Sequence, residues 1–192
     1  MEKEPSGRKP RADAERNRQR LIEAAKASFA RDGGSASLEE IARSAGVGIG
    51  TLYRHFPTRE ALISGVYSDA VGQLSAAAES LAETHPPAEA LRRWLLLFVD
   101  YLATKKIMAN TLTSLGGDMS TLYAATGETL KNAIDTLAQS AIDAGEIKLD
   151  VEPFDLLRAI GGVAHAAPAA DWVASAKGMV EMLMAGMKRS SP

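Results

Sequence analysis

A chain of 192 residues, 46% of them hydrophobic and 24% charged, has apolar material for one or two folded domains and is no disordered polymer. It contains no cysteine and only three histidines, so a disulfide framework and a thiolate metal site are excluded. No Ser-His-Asp or carboxylate-histidine spacing nominates a nucleophile, and we expect no enzyme, no metal and no cofactor. The formal charge of −2 is unevenly spread, with 12 Lys and Arg against 9 Asp and Glu in residues 1–60 and 10 against 15 in the remainder, so positive charge gathers in the first third.

In chain order, residues 1–12 hold two prolines, a glycine and no large apolar side chain beyond the first methionine, and they read as a flexible basic arm. Arg8, Lys9 and Arg11 are its candidate contacts to a polyanion such as a minor groove. A long helix is expected over 13–32, with Leu21, Ile22, Ala25 and Phe29 as its inward stripe and a stop at Gly33 and Gly34. The stretch 37–59, SLEEIARSAGVGIGTLYRHFPTR, is the most informative in the chain. Ser37 followed by Glu40 has the capping-box spacing, Leu38, Ile41, Ala42 and Ala45 share one helical face, and Gly46 ends that helix. Leu52 and Phe56 sit four apart before Pro57, which limits a second helix to about two turns. Two short helices joined by a glycine-containing turn make a helix-turn-helix, here over 37–56. Its second helix offers the bare backbone of Gly48 and Gly50 with Thr51, Tyr53, Arg54 and His55 beside it, chemistry suited to a phosphate or a base edge.

The run IARSAGVGIGTLYRHFPTREALI resembles the DNA-binding domain of the TetR family of bacterial transcriptional regulators, over roughly residues 14–75. The resemblance implies that Ser37, Thr51, Tyr53, His55 and Arg59 contact DNA, mostly its phosphates, with Ile49, Gly50 and Arg54 nearer the bases. Two positions depart from the family pattern: residue 48 is often Ser and is Gly here, and residue 59 is usually Lys and is Arg here.

Beyond the head, expected helices cover 58–82, 88–103, 105–115, 120–144, 153–166 and 169–187, bounded by His85-Pro86-Pro87, Gly116-Gly117, Gly145, Pro153 and Pro168. The fold class is therefore all-α with about nine helices: a three-helix DNA-binding domain over 13–75, then a larger helical domain over 76–192 for effector binding and dimerisation. Trp94, Phe98, Tyr101, Met108, Leu112, Met119, Tyr123 and His165 are its candidate pocket residues, apolar enough for a small hydrophobic effector, although such residues line cores more often than pockets. By family resemblance the last two helices pair with their copies in a second subunit, which nominates Leu157, Ile160, Gly161, Ala164, Trp172, Ala176, Met179, Val180 and Leu183 for a dimer interface. The expected protein is a cytoplasmic, ligand-responsive regulator, in the first instance a repressor, that binds a near-palindromic operator as a homodimer. No membrane helix or signal peptide is expected. The alternative is a dimer of the same fold that binds small molecules or proteins without specific DNA binding.

Overall fold

The structure is a computed structural model that describes residues 8–114, 120–166 and 172–188, with side chains over 12–113, 126–164, 166 and 172–188. It is all-helical among the described residues apart from a single isolated bridge between Ile147 and Lys188. Eight α-helices follow in order: α1 (Arg8–Asp32), α2 (Leu38–Ser44), α3 (Ile49–His55), α4 (Arg59–Thr84), α5 (Pro87–Ser114), α6 (Ser120–Asp143), α7 (Pro153–Ala166) and α8 (Trp172–Met187).

Two boundaries differ from the sequence reading. α1 begins at Arg8, so residues 8–12 of the expected flexible arm are helical. Pro10 is no obstacle there, because in the first turn of a helix its missing N–H would have had no intrahelical partner. The side chains of Arg8, Lys9 and Arg11 lie outside the described residues. The expected helices at 88–103 and 105–115 are one continuous helix, α5, which reduces nine to eight. No Gly or Pro interrupts residues 103–106, and within the run Thr104 is buried. Further on, the hydroxyl of Thr111 donates to the Ile107 carbonyl at 2.8 Å, so a buried polar side chain is satisfied without breaking the helix.

The chain divides into two compact units. One comprises Met1–Asp69 with Ile107–Met119, the other Ala70–Lys106 with Ser120–Pro192, whereas the sequence reading divided the chain at 75. In the first unit α1, α2 and α3 pack on one another around Leu21, Ile22, Phe29, Ile41, Leu52 and Phe56, all buried. Truncation of one such Phe to Ala costs about 3–5 kcal/mol. In the second unit α7 packs on α6 and α8. Trp94 is fully buried there and its indole N–H donates to the Leu74 carbonyl at 2.8 Å, so the one polar atom of a large apolar group is satisfied. Gly145, at φ +71°, closes α6 in the left-handed conformation. The next residue, Glu146, turns its carboxylate back to accept from the Ala88 N–H at 2.8 Å, which caps the start of α5. Two ion pairs fix the pairing of α5 with α8, Arg92 to Glu181 at 2.6 Å and Asp100 to Lys177 at 2.9 Å.

Candidate nucleic-acid interface

The turn between α2 and α3 sets the direction of the reading helix. Gly46 takes φ +67°, its N–H donates to the Arg43 carbonyl and the Val47 N–H donates to the Ala42 carbonyl, each at 3.0 Å. These are the two bonds of a Schellman closure, which satisfies carbonyls that α2 would otherwise leave open. The end of the flexible Arg20 side chain of α1 lies where a Cβ at 46 would go and could move aside, so it is the left-handed backbone that requires glycine there.

α3 then starts with Gly48 as its N-cap and turns two faces outward and inward. Leu52 and Phe56 are buried, whereas Gly48, Gly50, Tyr53 and Arg54 are exposed, Tyr53 at 46%; Ile49, Thr51 and His55 are half-buried. A Cβ added at Gly48 or Gly50 meets no atom within 4 Å, and neither residue has positive φ. The fold therefore does not need glycine at either position, and the pair leaves open space along the exposed side of α3. Arg54 donates from Nη2 to Thr51 Oγ1 at 2.9 Å along the same exposed face.

Phe56, at the end of α3, is the wedge that holds this helix. Its ring lies against the backbone of Gly65 in α4, where a Cβ would come within 2.6 Å of Cε1. The Arg18 guanidinium of α1 sits 5.6 Å from the ring centroid, a cation–π contact. Neither partner is visible from the motif, because Gly65 lies nine positions after Phe56 and Arg18 thirty-eight before it.

The helix starts around the motif are capped, with one change from expectation. Ser37 Oγ accepts from the Glu40 N–H at 3.3 Å, but the Glu40 carboxylate turns to Arg31 of α1 at 3.5 Å instead of returning to residue 37. The capping box is half formed because a full positive charge competes with a neutral N–H. The Ser37 hydroxyl donates instead to Glu39 at 3.0 Å. Thr58 Oγ1 accepts from the Ala61 N–H at 3.1 Å at the start of α4. Arg59, half-buried, donates to the Gly34 carbonyl at 3.3 Å and so braces the turn that precedes α2. Glu39 and Glu60 are both held below the usual carboxylate range, each mainly by its own backbone N–H, then by the hydroxyl of Ser37 or Thr58, with the charge of Arg59 adding to both. Arg59 is thus flanked by two carboxylates that remain ionised at neutral pH.

Two models of known families match, one described as bacterial regulatory proteins, tetR family, over residues 21–66, the other as the C-terminal domain of SbtR-like transcriptional regulators, over residues 86–189. A TetR transcriptional regulator from Streptomyces coelicolor is 38% identical, covers 91% of this chain and 99% of its own, and superposes with a TM-score of 0.79. The chain belongs to the TetR family. A second TetR regulator, from Mycobacterium vanbaalenii, is 31% identical with a TM-score of 0.75, covering 93% of this chain and 99% of its own. SmeT, the repressor of a Stenotrophomonas maltophilia multidrug efflux pump, is 19% identical with a TM-score of 0.61 over 91% of each chain, a likeness of fold. As a TetR-family member the chain is a DNA-binding transcriptional regulator, a class whose members are generally not enzymes. No helix among the described residues is long and apolar enough to cross a membrane.

The remaining candidates of this TetR-family chain fall as follows. Trp94, Phe98 and Tyr101 are buried in the second unit as a row of rings, with centroids 6.1 Å apart for the first pair and 5.6 Å for the second. Met108 and Leu112 are buried and belong to the first unit, and Met119 and the side chains of Tyr123 and His165 lie outside the described residues. An open groove of about 750 Å³ on α6 and the start of α7 is lined by Asp135, Asp143 and Glu152 with Thr136, Gln139 and Ser140, and none of the expected pocket residues borders it.

Of the nine residues nominated for subunit contact, Ile160, Ala176 and Val180 are 0% exposed within the single chain, and Leu157, Ala164 and Trp172 are also buried. These six serve the core of their own subunit and have little or no surface to offer another. Gly161, Met179 and Leu183 are half-buried. The outward face of α8 carries instead Ser175, Gly178, Met182 and Gly186, which share one helical stripe, with Met182 68% exposed; α7 adds Ala159 and Gly162.

Proposed function

We propose that this regulator is a cytoplasmic, ligand-responsive repressor that grips a near-palindromic operator as a homodimer, each subunit placing α3 in a major groove. The observation that carries the reading is the two-sidedness of α3: Leu52 and Phe56 anchor it while Tyr53 and Arg54 are exposed beside two bare glycines and the half-buried Thr51. On this reading Ser37, Tyr53, His55 and Arg59 hold phosphates, Gly48 and Gly50 allow close approach, and Ile49 and Arg54 lie nearest the bases. Arg8, Lys9 and Arg11, at the start of α1, add charge near the duplex. Two copies of α3 must lie about 34–36 Å apart, or a multiple, to meet successive grooves. The second copy is held by the outward face of α7 and α8, where an exposed methionine stands among residues small enough for close helix approach. An apolar effector in the helical body shifts that spacing, and a coupling of about 1–3 kcal/mol loosens the operator some 5- to 150-fold.

The test is a selection from a randomised duplex pool with the full chain, followed by binding of the enriched duplex at several salt concentrations. We expect a two-fold-related consensus and an affinity that falls steeply with salt, because each neutralised phosphate releases counterions. Binding indifferent to both sequence and salt overturns the proposal.

A further inference from the structure

Arg54 is pinned by its own helix. Its Nη2 donates to Thr51 Oγ1 at 2.9 Å, three residues earlier on the exposed side of α3. A solvent-facing pair at this spacing contributes little stability, so its consequence is one of position. Side chains on a helix lean toward its N-terminus, and the bond to Thr51 draws the guanidinium further that way, to the end of a reading helix that penetrates deepest into a major groove. Gly50, four residues before Arg54 on the same face, carries no side chain to compete for the space, and nothing lies within 4 Å of where its Cβ would stand. A guanidinium has five N–H groups. With one engaged by Thr51, a parallel pair of N–H groups remains available, the donor geometry that matches O6 and N7 of guanine.

From this geometry we propose that Thr51 is a positioning residue whose hydroxyl holds Arg54 ready to read a guanine in the half-site. The proposal rests on the operator-binding reading above, and the experiment separates the two. The full-length wild type, Arg54→Ala, Thr51→Ala and Thr51→Ser are each carried through selection from a randomised duplex pool, with melting temperature recorded for every variant. The wild type enriches an invariant guanine. Arg54→Ala loses that column, a fall of about 5- to 150-fold in preference, while the other columns persist. Thr51→Ala weakens the same column about 2- to 10-fold, the effect of leaving one long side chain to be ordered on binding, and Thr51→Ser restores it. If Thr51→Ala lowers affinity for every duplex alike and leaves the guanine column intact, the hydroxyl is a phosphate contact and the proposal is overturned. Equal base preferences in Arg54→Ala and wild type overturn it as well. A wild type that enriches nothing refutes the operator-binding reading itself, and the proposal with it.

Discussion

Glycine 50 carries its meaning in what it leaves empty. Helix propensity argues against it and the surrounding fold leaves room for a methyl group, so its retention costs stability without structural return. Gly50→Ala is accordingly expected to stabilise the free protein, by up to about 1 kcal/mol in a melting experiment. The same variant should weaken binding to the selected duplex about tenfold or more, because on the proposed reading the added methyl would sit where α3 meets the groove and overpacking costs about 1–3 kcal/mol. An unchanged affinity would remove Gly50 from the interface. At this scale the sequence was informative about identity and silent about partners. Thr51, Tyr53 and Arg54 could be placed on an outer face from the spacing of Leu52 and Phe56, but the Thr51–Arg54 bond and the competition of Arg31 for Glu40 depend on rotamers and on a helix elsewhere in the chain.

Helix ends were legible wherever a single residue enforces them. Ser37, Gly46, Pro57, Gly145 and Pro153 mark boundaries because a missing N–H, a left-handed backbone or a capping hydroxyl is a property of one side chain. Continuity is harder to read. Thr104, Lys105 and Lys106 resemble a polar break, yet α5 runs through them. The Lys106 ammonium extends to the Ala164 carbonyl at 3.5 Å and lies 5.7 Å from the Trp172 ring centroid, so a residue that looks like linker instead ties α5 to the end of α7 and the start of α8. At the other end of α5, Glu89 is hydrogen-bonded by Arg92 and Arg93, which lowers its pKa to about 2. A carboxyl lowered on folding contributes stability that is complete above its unfolded pKa, near 4.5, and is lost as pH falls from there toward 2. Comparison of the wild type with Glu89→Gln should therefore show a stability difference at pH 6 that shrinks across that window. Its size should be about 1 kcal/mol or less, since the pair is only part-buried and water still screens it. A difference that is constant from pH 6 to pH 2 would mean the arginines do not depend on that charge.

For the whole molecule, the number of apolar stripes announced a helical body but not what each stripe covers. Periodicity finds the face that avoids water and is indifferent to whether the neighbour belongs to the same chain. Val180 and Ile160 therefore read as subunit contacts but are buried within their own chain, while the stripe of Ser175, Gly178, Met182 and Gly186, which the sequence did not single out, is the face left open. The two assignments separate in solution. Met182→Glu is expected to yield a folded monomer by sedimentation with a near-native melting temperature, whereas Val180→Glu, which buries a charge, should unfold the subunit. A Met182→Glu dimer that stays intact would move the interface elsewhere. One feature of the head reaches furthest into how such a protein behaves among a genome's worth of irrelevant sites. On the proposed reading, in which Arg59 holds a phosphate, that phosphate shares the cation with Glu39 and Glu60, whose ionised carboxylates Arg59 also favours, and the hold on arbitrary sequence is correspondingly slack. Brief visits to the wrong address shorten the search for the right one, so on that reading a pair of acidic side chains beside the phosphate contact would trade grip for speed.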